Sequence, residues 1–221
     1  MPLLTSSEGK YLKAIYTLSS AGKESVSTNA IAAQMGTKAA SVSDMLGKLA
    51  EKEMISYRKY YGVHLTEKGH KTALGILRKH RLWEVFLVDK LRFQWEEISQ
   101  IADELEQLDH PLLIQKLDEY LGYPKFDPYG DPIPDEFGDF QTKARVPLQD
   151  MPVDMTGKIA AVKDNTASFL RYLDKMGIYI GARMVVLEKV EFDGSLELMI
   201  DNQRKVFVSR EVAANILVQP L

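Results

Sequence analysis

The strongest constraint on this chain is a run of sixteen residues, PKFDPYGDPIPDEFGD at 124–139, which crowds Pro124, Pro128, Pro132 and Pro134 together with two glycines and several aspartates. Proline fixes φ and removes a backbone donor, so neither a regular helix nor a central strand passes through such a stretch. One kind of structure must close before it and another open after it. Upstream the apolar residues recur at helical spacing; downstream of Pro152 the runs are short and β-like.

The upstream spacing predicts a helix capped by Ser6 or Ser7 and running to about Ser20, with Tyr11, Leu12, Ile15, Tyr16 and Leu18 as its buried stripe. Thr28 caps a second helix ended by Gly36, and 38–52 forms a third with Val42, Met45, Leu46 and Leu49 facing inward. Residues 55–60 and 63–66 alternate as strands around a Tyr61-Gly62 hairpin tip. Further helices are expected over 67–90, 95–108 and 111–121. After Pro152, strands are predicted at 157–162, 184–189, 196–200 and 205–208, interrupted by a helix at 167–176 that stops at Gly177. The fold expected is mainly α with a small β part. It comprises a winged helix-turn-helix over 1–74, a helical region over 75–140, a linker at 141–151 and a small curled sheet or barrel over 152–221.

Composition narrows the chemistry. Cysteine is absent, which excludes disulfides, zinc-thiolate sites, thiol nucleophiles and iron-sulfur clusters. The start lacks a secretory pattern and no apolar run is long enough to span a membrane, so a cytoplasmic protein is expected. Residues 1–80 carry 12 Lys/Arg against 6 Asp/Glu, whereas 81–145 carry 7 against 15. A basic head on an acidic body suits polyanion binding by the first and cation binding by the second.

Helix, turn, helix and two-stranded wing is the order of a DNA-reading head. After Gly36 the third helix opens with short side chains, Thr37, Ala39, Ala40, Ser41 and Ser43, which permit approach to the major-groove floor. Lys38 and Lys48 can reach phosphates, Asp44 can accept from a cytosine amine, and Arg58, Lys59 and Tyr60 on the wing combine charge with an aromatic face. With Thr28, these are the candidate contacts to double-stranded DNA. The opposing reading is a three-helix packing unit with solvated lysines. A hydrolase built on the carboxylates of 103–109 lacks a general base and a nucleophile, so no enzyme is expected.

The run VSTNAIAAQMGTKAASVSDMLGKLAEKEMISYRKYYGVHLTEKG, followed by HRLWEVFL, GDPIPD and the β-rich tail, resembles the diphtheria-toxin-repressor and manganese-transport-regulator family across nearly the whole chain. The resemblance implies a homodimeric repressor with manganese(II) or iron(II) as corepressor, acting on palindromic operators of metal-uptake genes. It also implies that the tail is an SH3-like domain of the FeoA type. By position it assigns His80, Glu84, Asp103, Glu106 and Gln107 as metal ligands, with Asn165 and Ser168 as weaker ones. It implies dimerisation through helices between about 75 and 121, with Trp83, Phe86, Leu87, Leu91 and Trp95 contributing. Lys10, Ser99 and Gln107 depart from the family's ligand pattern. An ammonium has donors but no free lone pair, so Lys10 is read as a surrogate for the metal's charge beside Asp103, Glu106 and Gln107. The alternative is thus a regulator of the same fold whose metal sites have degenerated.

Overall fold

The computed structural model describes residues 4–22, 24–58, 61–108 and 110–221, which fall into two compact units. The first comprises the described residues up to 80 with 106–108 and 134–139, and the second 81–105, 110–133 and 140–221.

The first unit contains α1 (Ser6–Leu18), α2 (Thr28–Met35), α3 (Ala39–Glu51), β1 (Ile55–Arg58), β2 (Gly62–Leu65) and the opening turns of α4 (Glu67–Asp89). Thr5, rather than Ser6 or Ser7, caps α1, because Glu8 three residues on completes a capping box. The Thr5 hydroxyl accepts from the Glu8 amide at 3.3 Å, and the Glu8 carboxylate accepts from the Thr5 amide at 2.7 Å. Ser27, not Thr28, caps α2, its hydroxyl accepting from the Ala30 amide. Tyr11, Leu12, Ile15 and Tyr16 of α1 are buried, as are Ile31, Val42, Leu46 and Leu49 of the next two helices. Leu18 is only half-buried, whereas Met45 is half-buried at the margin of the α3 stripe. The wing strands pair antiparallel with Ile55 opposite Leu65, and the Val26–Val63 bridge ties the wing to the segment before α2.

Glu8 is buried, and its carboxylate also accepts from Lys52 Nζ at 2.7 Å. Burial pushes its carboxyl up, but the Lys52 hydrogen bond and the Thr5 cap outweigh that, and the group is held below its ordinary value.

The second unit holds the rest of α4, α5 (Ile98–Leu105), α6 (Pro111–Tyr120), α7 (Ala167–Met176), α8 (Arg210–Asn215) and a six-stranded antiparallel sheet. Its strands are β3 (Val146–Pro147), β4 (Thr156–Val162), β5 (Arg183–Lys189), β6 (Leu196–Ile200), β7 (Arg204–Val208) and β8 (Ile216–Pro220), in the order β3-β8-β4-β5-β6-β7. α5 is shorter than the 95–108 the spacing predicts, because Trp95 is engaged elsewhere: its indole donates to Asp174 Oδ2 at 3.1 Å and stacks on Tyr129. The linker expected at 141–151 lacks regular structure only to 145, since β3 pairs with β8 and Leu148 and Met151 are buried. Trp83 and Leu87 fill this unit's own core, whereas Leu91 is 52% exposed and Tyr120 64% exposed.

The proline-rich run is ordered by buried charge. Asp127 Oδ1 accepts from the amides of Tyr129 and Asp131, both at 2.9 Å, while its Oδ2 lies 3.2 Å from Arg81 Nε. Arg81 also bonds Asp131 Oδ2 and donates to the Pro132 carbonyl. Burial and the nearby Glu84 carboxylate push the Asp127 carboxyl well above its ordinary range; Arg81 and the Asp131 amide pull against them. The loop then seats Gly130 against β4, where the register shifts between Ile159 and Ala161. Gly130 has φ +86, and a Cβ there would stand 1.9 Å from the Ala160 carbonyl oxygen.

Gly130→Ala is therefore expected to lower unfolding free energy by roughly 2–4 kcal/mol, from strain and overpacking together. At Gly36, where φ is +60 but nothing lies within 4 Å of where a methyl would stand, Gly36→Ala should cost only about 1 kcal/mol. Urea denaturation of the two variants checks the contrast. For Glu8, a depressed folded pKa means stabilisation that is present above its unfolded value of 4.5 and lost as pH falls through the folded one. Glu8→Gln should thus destabilise at neutral pH, and the gap from wild type should close on acidification; a pH series of thermal melts reads this.

Candidate functional site

Two sets of residues carry chemistry. The first is the outward face of α3. Gly36 ends α2 in the left-handed conformation, and the Thr37 amide donates back to the Ala32 carbonyl, so the chain reverses within two residues. α3 then buries Val42, Leu46 and Leu49. Ala39, Ala40, Ser41, Ser43 and Asp44 are left exposed, with Lys38 preceding them at the N-cap. Ser43 donates its hydroxyl to the Ala39 carbonyl at 3.1 Å. Its lone pairs therefore serve as acceptors, the complement of an adenine or cytosine amine. Thr28 is half-buried at the first turn of α2, and Lys48 stands in the last turn of α3. At the wing tip Tyr61 is 80% exposed, and its carbonyl is held by Ser25 Oγ at 2.8 Å. Lys59, Tyr60 and the side chain of Arg58 lie outside the described residues.

The second set centres on Glu106. Its side chain is 1% exposed, and its Oε2 stands 2.8 Å from both Lys13 Nζ and His80 Nδ1. Lys13 Nζ lies 3.2 Å from the same His80 nitrogen. One nitrogen cannot both donate to the carboxylate and accept from the ammonium, so the imidazole tautomer follows whichever of the two it engages. Among the described residues, the other carboxylate oxygen, Oε1, is buried and has no hydrogen-bond partner. A buried, half-satisfied carboxylate beside an imidazole is a seat for positive charge.

α4 supplies His80 and α1 supplies Lys13, whose neighbours Leu12, Ala14 and Ile15 fix the helix by burial. Spacing alone does not single out Lys13; the available signal is its place about one helical turn beyond Lys10, which is half-buried. Asp103 stands one turn before Glu106, half-buried on α5, while Gln107 is exposed and Ser99 half-buried. In the second unit Glu84 is buried, and its charge acts on Asp127 and Tyr129. Asn165 lies before the Thr166 cap of α7 and Ser168 after it; the Thr166 amide donates to Asp164, and Ser168 Oγ lies 3.3 Å from Thr166 Oγ1. Of the remaining histidines, His64 is exposed and His70 packs on Tyr16 and reaches the Ala21 carbonyl. His110 occupies the N-cap position of α6 without a side-chain capping bond.

Comparison with known proteins agrees along the chain. Residues 3–63 match the N-terminal DNA-binding domain of iron-dependent repressors, 66–135 their metal-binding and dimerisation domain, and 146–220 the FeoA domain. The iron-dependent repressor IdeR of Mycobacterium tuberculosis is 31% identical over 124 residues, 56% of this chain and 54% of that protein. The matched stretch thus spans about half the length of such curated relatives. An HTH-type transcriptional regulator of Methanocaldococcus jannaschii is 31% identical over 107 residues, 48% of this chain and 86% of that protein. A solved manganese-dependent transcriptional repressor in complex with manganese is 34% identical, covers 97% of this chain and 100% of its own, and superposes with a TM-score of 0.85. With three successive domains matched and a near full-length structural counterpart, this chain belongs to the family of iron- and manganese-dependent repressors that includes the diphtheria toxin repressor.

Proposed function

We propose that this protein is a homodimeric transcriptional repressor of the cytoplasm, binding palindromic operators of metal-uptake genes in response to manganese(II) or iron(II). The observation that carries the reading is the conjunction, within one compact unit, of an exposed small-residue face on α3 and the buried His80–Glu106 pair.

The donor set fits such a metal. His80, Asp103 and Glu106 offer an imidazole nitrogen and carboxylate oxygens, which suit manganese(II) or iron(II). The partnerless Oε1 of Glu106 is an acceptor that a cation would satisfy. These three residues would hold the ion, with Gln107 and Glu84 as further candidates and Asn165 and Ser168 as weaker ones. When bound, the ion supplies divalent charge that offsets the carboxylates' mutual repulsion. The chain's own residues do the rest: α1 packs against α2 and α3, so whatever fixes α1 to the 106–108 segment also steadies the reading helix. Two such helices, spaced by dimer symmetry at about 34–36 Å, enter successive major grooves. Lys38 and Lys48 neutralise phosphates while Ala39, Ala40, Ser41, Ser43 and Asp44 meet base edges.

Selection of operators from random duplexes, followed by binding measurements, tests this. Palindromic sites, bound more tightly with manganese(II) and released by chelator, are the expected outcome. Asp103→Ala or Glu106→Ala should abolish the metal response while non-specific binding persists. Lys48→Ala should weaken binding across sequences and flatten the salt dependence by about one unit of slope for each phosphate no longer neutralised. Binding indifferent to both metal and chelator would overturn the metal-responsive part, and absence of any DNA binding the whole.

A further inference from the structure

We infer that Lys13 is a built-in competitor of the metal: its ammonium holds one oxygen of the Glu106 carboxylate and stands against the His80 imidazole, the two groups that would ligate a divalent cation, and it tethers α1 to the 106–108 segment when no metal is bound. This rests on the reading of His80 and Glu106 as metal ligands.

Glu106 Oε2 receives the Lys13 ammonium at 2.8 Å in surroundings that leave the carboxylate 1% and the lysine side chain 19% exposed. Such a charge-assisted bond is short and, away from water, strong. The same ammonium lies 3.2 Å from His80 Nδ1. One cation therefore stands against two of the groups that would ligate another. A divalent ion bonded to the free Oε1 and to the imidazole would stand beside the ammonium in surroundings largely withdrawn from water, and the repulsion between the two cations drives the Lys13 side chain out as metal enters. Because Lys13 sits at the centre of α1, between buried Leu12 and buried Ala14, its hold on Glu106 is also a hold of α1 on that segment. Two cations of different strength thus compete for one job. The internal one sets the concentration at which the external one acts, and it maintains part of the tether in its absence. The sequence pattern singles out Lys10 for a surrogate role; the ion pair seen on Glu106 is that of Lys13, about one turn further along the same helix.

The test uses the full-length, metal-free protein and manganese(II) alone, comparing wild type with Lys13→Met and Lys13→Ala. Calorimetry should show both variants binding manganese(II) about ten- to a hundredfold more tightly than wild type, the factor corresponding to one charged hydrogen bond that no longer has to be broken. Without metal, amide hydrogen exchange across α1 should be faster in the variants, and manganese(II) should restore its protection. Affinity that is equal in all three proteins, or absent from all three, overturns the inference, as does unchanged α1 exchange. Tighter metal binding by the variants, combined with operator binding that ignores metal in every protein, would sustain the competition and sink the metal-responsive function instead.

Discussion

A carboxylate that is almost wholly withdrawn from water must find positive charge. Glu106 is that group: one oxygen is taken by Lys13 and His80, and the other is left without a partner among the described residues. Removing the compensation of such a group costs roughly 3–5 kcal/mol. The charge comes from Lys13 of α1, with the His80 imidazole of α4 beside it, and these contacts join separated parts of the chain within one unit.

That demand reaches the exposed face of α3 through packing. The buried face of α1 packs with α2 and α3, whose inward residues are Ile31, Val42, Leu46 and Leu49, and close-packed interiors transmit small displacements instead of absorbing them. The exposed face of α3 stays chemically simple: two alanines, two serines and flanking lysines present methyls, acceptors and charge without bulk. Family membership and the matching domain order place both features in a chain of metal-dependent repressor descent.

Much of this is legible in the residues themselves. The apolar stripes of α1 and α3, the turn at Gly36 and the stop at Gly177 follow from spacing and glycine alone, because local periodicity and left-handed caps need no tertiary information. The caps at Thr5 and Ser27 fall one or two residues earlier than spacing suggests, since several neighbouring hydroxyls compete and only the bonded amide decides. β8 and α8 are not legible in this way: they adjoin with no glycine or proline between them, and five and six residues are too few to show a period. The site is half legible. His80 and Glu106 emerge from family spacing, but which lysine meets Glu106 depends on how α1 is rotated, and the sequence encodes that only through the whole core.

The second unit has one interior, not two. Leu82, Leu87, Ile98 and Ile133 belong to the same buried cluster as Leu148, Ile159, Leu198 and Val218, although a border between matched domains falls between residues 135 and 146. A fragment cut at that border would carry away half an oil droplet with its wet side newly made of leucine and isoleucine. Such a piece would clump or scavenge a replacement lid, so what the tail contributes shows itself through point changes within the intact polypeptide and not through amputation.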